Sequence, residues 1–294
     1  MPHDISGHDL FEVREPSVQR IPFVFNSPHS GRRYPQSFLD QSRLSGQQIR
    51  RSEDHFVDEL FSAATALGAP MLLAHFPRAY VDVNREPYEL DPRMFDGPLP
   101  PFANIGSSRV AGGLGTIPRI VAENMEIYGG RLPVAEAIER IETIYKPYHA
   151  ALRRLIARTH ARFGFCILVD CHSMPGNVRL AGSGDRPDII IGDRYGTSAS
   201  GTLSRAAIDI LDDLGFNVVR NKPYAGGFIT EHYGRPARGL HAIQVEISRA
   251  LYVDESTLEK TRAFPAMAQA LASFMQRFVA HACQGDHATG LAAE

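Results

Sequence analysis

The hydrophobic positions of this chain switch repeatedly between the continuous runs of buried strands and the 3.6-residue stripe of helices. IPFVFN (21–26) predicts a first strand, which runs into SPHSGRRYP. SEDHFVDELFSAATALG predicts a helix with Phe56, Val57, Leu60, Phe61 and Ala64 on one face, Ser52 as its cap and Gly68 as its end. PMLLAHF (70–76) and RAYVDVN (78–84) predict two strands close enough to form a hairpin. VAEAIERIETIYKPYHAALRRLIARTHARFG carries Ile138, Ile141, Tyr145, Tyr148, Leu152 and Leu155 as a helical stripe, to be kinked or divided at Pro147. FCILVDCH (165–172) and PDIIIG (187–192) are apolar runs of the kind buried on both faces of a sheet. A helix (SASGTLSRAAIDILDDLG), two strands (FNVVRN, 216–221, and HAIQVEIS, 241–248) and a closing helix (STLEKTRAFPAMAQALASFMQRFVAHA) complete the pattern.

Residues 1–18 read as an arm and 284–294 as a flexible tail. From Arg85 to Pro133 the periodicity is lost among Pro and Gly, in DGPLPPF, AGGLGTIPR and IYGGRLP. That is the signature of a long loop or lid inserted over one face. Strands alternating with helices predict a single α/β domain over 1–294, with a mixed, mostly parallel sheet covered by helices on both faces. In such sheets ligands gather beyond the carboxyl ends of the strands.

Composition narrows the function classes. Basic and acidic residues nearly balance, 31 against 33, so no electrostatic footprint points to nucleic acid or an anionic membrane. No apolar run is long enough to span a bilayer, and MPHDISGHDLFEV lacks a signal-peptide core. Three cysteines, Cys166, Cys171 and Cys283, are too few and odd in number for a disulfide framework, and a reducing cytoplasm is expected. Oligomeric state is not legible.

Titratable groups collect where strands end. NSPHSG supplies His29, LVDCHSMPG supplies Asp170 and His172, and the last strand carries Glu246 between Val245 and Ile247. Two imidazoles, a carboxylate and a spare carboxylate are what a zinc hydrolase needs, because catalytic zinc takes about three protein ligands and keeps a position for water. His29 and His172 supply nitrogens, and Glu53 or Asp54 the oxygen. Glu246 remains to move protons. Asp170, two residues before His172 on the same side of the strand, can orient that imidazole.

Each residue also has a plainer explanation. Glu53 and Asp54 suit the first turn of a helix, where acids complement the dipole. His29 can cap a turn before Gly31. Glu246 can pair with Arg249. Arg85 can be a surface partner of Glu86 rather than a fork for a substrate carboxylate. VDVNRE places Asp82 and Asn84 on one strand face, and GGFITEHYG is a glycine-rich turn leading to Thr230 and His232. No Gly-Lys-Ser/Thr follows it, which disfavours a phosphate loop. Cys171 alternates away from Asp170 and His172, which favours a small buried residue over a nucleophile.

NSPHSG, EDHFVDELF, YVDVNR, YKPYH, LVDCHSMPG, GGFITEHYG and HAIQVEIS together resemble the N-formylglutamate amidohydrolase (N-formylglutamate deformylase) family, in the family's order and over most of residues 21 to 255. The resemblance implies a three-layer α/β/α fold similar to zinc carboxypeptidases and aminoacylases. It implies one Zn2+, the choice among divalent metals being open, on His29, Asp54 and His172. It further implies Glu246 as base and acid, Asn84 and Arg85 on the substrate's α-carboxylate, and Thr230 and His232 as further substrate contacts. The implied reaction is hydrolysis of N-formyl-L-glutamate to glutamate and formate, a step of histidine breakdown. The alternative is a zinc deacylase or carboxypeptidase for another N-acyl amino acid or short peptide. The stretch from Arg85 to Arg131, with GGLGTIPRIV, departs from the family pattern, so it leaves the acyl group and amino acid open. It also leaves open which of Arg32, Arg33, Arg93, Arg119 and Arg194 reads a side-chain carboxylate.

Overall fold

A computed structural model describes residues 10–182 and 184–284. Its main sheet has seven strands: β1 (Phe11–Arg14), β2 (Phe23–Ser27), β3 (Met71–Ala74), β4 (Cys166–Met174), β5 (Ile189–Gly192), β6 (Val218–Arg220) and β7 (Leu240–Ser248). Their order is β1-β3-β2-β4-β7-β5-β6. β2 and β4, β4 and β7, and β5 and β6 pair in parallel, whereas β5 runs antiparallel to β7. The mixed, mostly parallel α/β sheet is therefore present. β2, β4, β5 and β7 are buried almost throughout, as the apolar runs at 165–172 and 187–192 predict for β4 and β5.

The described residues fall into two units: residues 10–12, 28–53 and 73–151, and residues 13–27, 54–72, 152–182 and 184–284. In the second, Phe23 of β2 meets Phe278 of the closing helix edge to face at 5.5 Å. Phe23 is in register with Ile167, so that helix (Phe264–Gln284) covers the face carrying residues 167, 169 and 171. On the opposite face, Cys166 lies against Thr159 of the helix Lys146–Phe163. Helices thus cover both faces of the sheet.

The first unit consists mainly of short elements. They include helices Gln36–Gln41 and Val134–Arg140 and the small strand pairs Ile120–Ala122 with Met125–Glu126 and Phe95–Asp96 with Leu132–Pro133. The 85–133 stretch is therefore locally structured. At its centre the Arg140 guanidinium lies 4.0 Å from the Tyr80 ring centroid and donates to Tyr128 Oη at 2.7 Å, a cation–π and hydrogen-bond partnership that makes burial of an arginine tolerable.

Several expected boundaries are corrected. The helix predicted from Ser52 is broken. Phe56 adopts a left-handed φ of 58°, and only the short turns Val57–Leu60 and Ala64–Leu67 follow. Residues 78–84 form no strand and no hairpin: the amide nitrogens of Tyr80 and Val81 bond back to the Pro77 carbonyl as a turn. Pro147 does not divide the long helix, because a π-helical turn at Ile141–Tyr145 leads into Lys146 and puts the proline in the next segment's first turn. The supposed arm contributes β1. The closing helix begins at Phe264, after a small strand pair at 253–254 and 259–260. The glycine-rich turn opens the helix Phe228–Tyr233. Residues 285–294, most of the predicted tail, lie outside those described, as do residues 1–9 of the arm.

Candidate active site

The parallel registers explain how a polar patch assembles inside an apolar sheet. Asn26 of β2, Asp170 of β4 and Gln244 of β7 are successive cross-strand partners. One pleat further along, His172 of β4 and Glu246 of β7 are partners. Partners in register share a face, and residues two apart share it too, so all five side chains emerge on one side near the carboxyl ends of the strands. β4 extends beyond His172 to Met174, so the histidine belongs to the strand rather than to the loop after it.

Each member is buried, and each is tied to another. Asn26 Nδ2 donates to Asp170 Oδ1 at 2.7 Å. The other oxygen of Asp170 meets His172 Nε2 at 2.8 Å, and His172 Nδ1 lies 2.9 Å from Asp54 Oδ2. Burial on its own would push the His172 pKa down, but the charge and hydrogen bond of Asp170, the bond to Asp54 and the charge of Glu246 hold it well above the usual histidine value. The surroundings favour positive charge at this position.

Glu53 and Asp54 differ in their contacts. Glu53 accepts from Tyr34 Oη at 2.7 Å and from Arg50 Nε at 2.9 Å, and its backbone is extended, so it is not in a helix's first turn. Asp54 is the one that reaches His172. A coordinating atom from each of His29, Asp54 and His172 lies within 4.8 Å of the other two, all three residues being buried.

His29 has an orienting carboxylate of its own. Its Nε2 lies 2.8 Å from Asp82 Oδ1, and Asp82 in turn is held by Arg78 Nη2 at 2.9 Å and by the Asn84 amide nitrogen at 2.9 Å. Burial would raise the Asp82 pKa, but Arg85, His29 and Arg78 hold it well below the usual carboxylate range. If Nε2–H of each histidine donates to its carboxylate, Nδ1 is the nitrogen that each would offer to a metal. With an aspartate oxygen this makes an N, N, O donor set, which suits zinc. The 2.9 Å between His172 and Asp54 is also close to the ~3.3 Å separating two ligands of one tetrahedral ion. The residues fit a divalent metal.

The remaining predicted residues are placed as follows. Glu246 accepts at Oε1 from Gln244 Nε2 at 2.7 Å, while Arg249 faces Glu255 at 3.8 Å. Arg85 donates from Nε to the Leu114 carbonyl at 2.7 Å and from Nη1 to that of Asn84 at 2.8 Å, and burial brings its pKa down to about 10. Asn84 is buried one residue before it; with no strand at 78–84, Asp82 and Asn84 share a turn rather than a strand face. Thr230 is buried, with Oγ1 donating to Gly227 O at 3.2 Å. His232 is exposed and stacked on Phe228, with burial first, then Arg235 and Arg153, pulling its pKa down. Cys171 is fully buried on the opposite face, and burial, then Asp170, raises its pKa.

Asn26, Asp82 and Gln244 were not singled out as site residues. For two of them a signal was present. Gln244 precedes Glu246 by two residues, as Asp170 precedes His172, and Asn26 ends a strand of otherwise apolar residues.

Residues 21–253 match the family model described as N-formylglutamate amidohydrolase. N-formylglutamate deformylase of Pseudomonas aeruginosa is 30% identical over 239 residues, covering 80% of this chain and 84% of that protein. Its counterpart from Pseudomonas putida is 28% identical over 240 residues, covering 81% and 84%. The crystal structure of N-formylglutamate amidohydrolase from Ralstonia eutropha JMP134 superposes with a TM-score of 0.88 at 33% identity, covering 94% of this chain and 99% of that one.

Proposed function

The chain belongs to the N-formylglutamate amidohydrolase family, and from that premise we propose that it hydrolyses N-formyl-L-glutamate to L-glutamate and formate as a zinc-dependent enzyme of histidine breakdown. The observation that carries the metal reading is the convergence of His29, Asp54 and His172, two of them histidines backed by carboxylates. When bound there, the ion supplies a Lewis acid that polarises the amide carbonyl and acidifies water.

Glu246 takes a proton from the attacking water. It delivers that proton to the amide nitrogen as the C–N bond breaks, so that formate and glutamate leave. Support for this role comes from its place directly across the sheet from His172, on the same face. Asn84 and the donors of Arg85 beyond those given to the two carbonyls hold the substrate's α-carboxylate. Thr230 and His232, on one short helix, contact the rest of the substrate. Asp170 keeps His172 in one tautomer and orientation. Among the described residues no helix is long and apolar enough to cross a membrane. We place the enzyme in the cytoplasm, acting on a small acidic N-acyl amino acid rather than on nucleic acid or a membrane.

The test is a panel of N-formylglutamate, N-acetyl amino acids and short peptides, assayed with purified protein whose metal content is measured. N-formylglutamate is expected to give the highest kcat/KM. Turnover of another acyl amino acid with N-formylglutamate untouched would replace the substrate, and activity unaffected by chelation would remove the metal.

A further inference from the structure

Gln244 is a polar residue of β7, two before Glu246, that the chemistry above leaves unused. It is buried between the apolar Ile243 and Val245 and makes a set of bonds that only one orientation of its amide satisfies. Its Oε1 accepts from the Gly227 amide nitrogen at 2.7 Å, a group that can only donate, and lies 3.4 Å from Thr230 Oγ1. The oxygen is thereby fixed toward the glycine-rich turn. Nε2, a donor only, is left facing Glu246 Oε1 at 2.7 Å.

The turn at the other end of this bridge cannot easily yield. Gly226 has a φ of +114°, and a Cβ there would lie 2.7 Å from Thr230 Oγ1. A Cβ on Gly192 of β5 would meet the Ala225 and Gly226 backbone at 2.8 Å. The turn therefore seats directly on the sheet, and the amide spans from a fixed backbone N–H to a carboxylate.

Resting on the reading of Glu246 as the base, we infer that Gln244 is a positioning residue: its side-chain amide couples the Gly227–Thr230 turn to Glu246 and sets the direction of the Glu246 carboxylate. A charge-assisted bond of this length restricts rotation of the acceptor. A general base loses rate steeply when its oxygen leaves the line of proton transfer, about 10²-fold for a shift of ~1 Å.

The experiment compares Gln244→Met and Gln244→Glu with wild type, using N-formyl-L-glutamate. Gln244→Met keeps the length and removes both bonds. Gln244→Glu keeps an acceptor for Gly227 and sets a second carboxyl, with its like charge or shared proton, in place of the amide donor to Glu246, so it serves if the methionine variant folds poorly. In at least one folded variant, kcat is expected to fall about 10²-fold, with KM within about threefold and bound metal and melting temperature near wild type. In a Glu246→Gln background the same substitution should cost no more than about twofold further, because a residue acting through Glu246 has nothing left to act on. Unchanged kcat, or a loss that multiplies fully on top of Glu246→Gln, overturns the inference. A crystal structure of the variant gives a readout independent of turnover: an unmoved Glu246 carboxylate also overturns it. Failure of the underlying reading looks different, since Glu246→Gln would then retain wild-type turnover by itself.

Discussion

Glu246 and His172 are cross-strand partners in adjacent parallel strands, so a carboxylate and a candidate metal ligand leave the sheet side by side. If Glu246 moves protons and does not bind the metal, Glu246→Gln should retain the wild-type metal content. Its kcat should fall by about 10²–10⁴-fold, the usual worth of a general acid–base group. Metal analysis alongside steady-state kinetics checks this, and unchanged turnover removes Glu246 from the mechanism.

Asp82 should behave as an outer partner of the metal through His29. Asp82→Asn keeps the shape but replaces the charged acceptor facing Nε2, so the imidazole loses basicity and its fixed tautomer. Metal affinity is expected to drop by about 10–100-fold, measured by competition with a chromophoric chelator. Asp170→Asn should act comparably on His172. Wild-type affinity in both variants would show that neither carboxylate tunes the site.

Legibility of the fold followed the strength of local signals. β4 carries a long apolar run and β7 an alternation, every residue of both being buried or nearly so, and the period of two placed Asp170 with His172 correctly. The signal failed where long-range partners overrule pattern. Val81 and Val83 alternate with polar residues as a strand would, yet Asp82 is claimed by His29 and Arg78 and its amide nitrogen by the Thr116 carbonyl. The apolar stripe from Phe56 to Ala64 is genuine, but Phe56 sits in the left-handed region at the entry to the turn, which no propensity announces. For the site, residue types and strand ends sufficed to suggest His29, His172 and Glu246. What separates Asp54 from Glu53 is a matter of distant partners: Tyr34 and Arg50 engage Glu53, while Asp54 meets His172.

Cys171 provides a contrast with metal chemistry. Its thiol is buried on the far face from Asp170 and His172, and its raised pKa keeps it protonated, which makes it a poor nucleophile. Cys171→Ser should retain most activity, while incubation with dipicolinate or EDTA should abolish it and added Zn2+ restore it. The reverse pattern, loss with serine and indifference to chelation, would favour a thiol mechanism.

Acid stability should depend on Asp193. This buried carboxylate accepts from Ser204, Asn221 and Arg220, which, against the cost of burial, hold its pKa below the usual aspartate value. A carboxylate whose folded pKa is depressed contributes stability that is fully present above the unfolded value of about 3.9 and is lost as pH falls through the folded value. Asp193→Asn should cost about 1–2 kcal/mol at pH 7, a modest figure because the Arg220 side chain is 39% exposed. The difference from wild type should shrink below pH 4. Urea unfolding at pH 7 and pH 3 checks the sign: a gap that widens in acid contradicts it.

Gly31 links backbone geometry to the candidate metal site. A Cβ there would lie 1.9 Å from the Phe76 carbonyl oxygen and 2.6 Å from the His75 carbonyl carbon, both backbone atoms that cannot swing aside. Arg33, two residues on, donates its backbone N–H to the His75 carbonyl at 2.9 Å, so the segment is pinned against that chain just after the glycine. Gly31→Ala must push the two backbones apart, at a cost of about 1–3 kcal/mol or more. The displacement begins two residues from His29, whose Nε2 is held by Asp82. The variant is therefore expected to lose both melting temperature and metal affinity, whereas Gly46→Ala, with nothing within 4 Å of the new Cβ, should lose neither. Calorimetry and metal titration of the pair decide it: a Gly31→Ala protein that melts and binds metal like wild type would show that the close approach of residues 31 and 76 does not hold His29 in place.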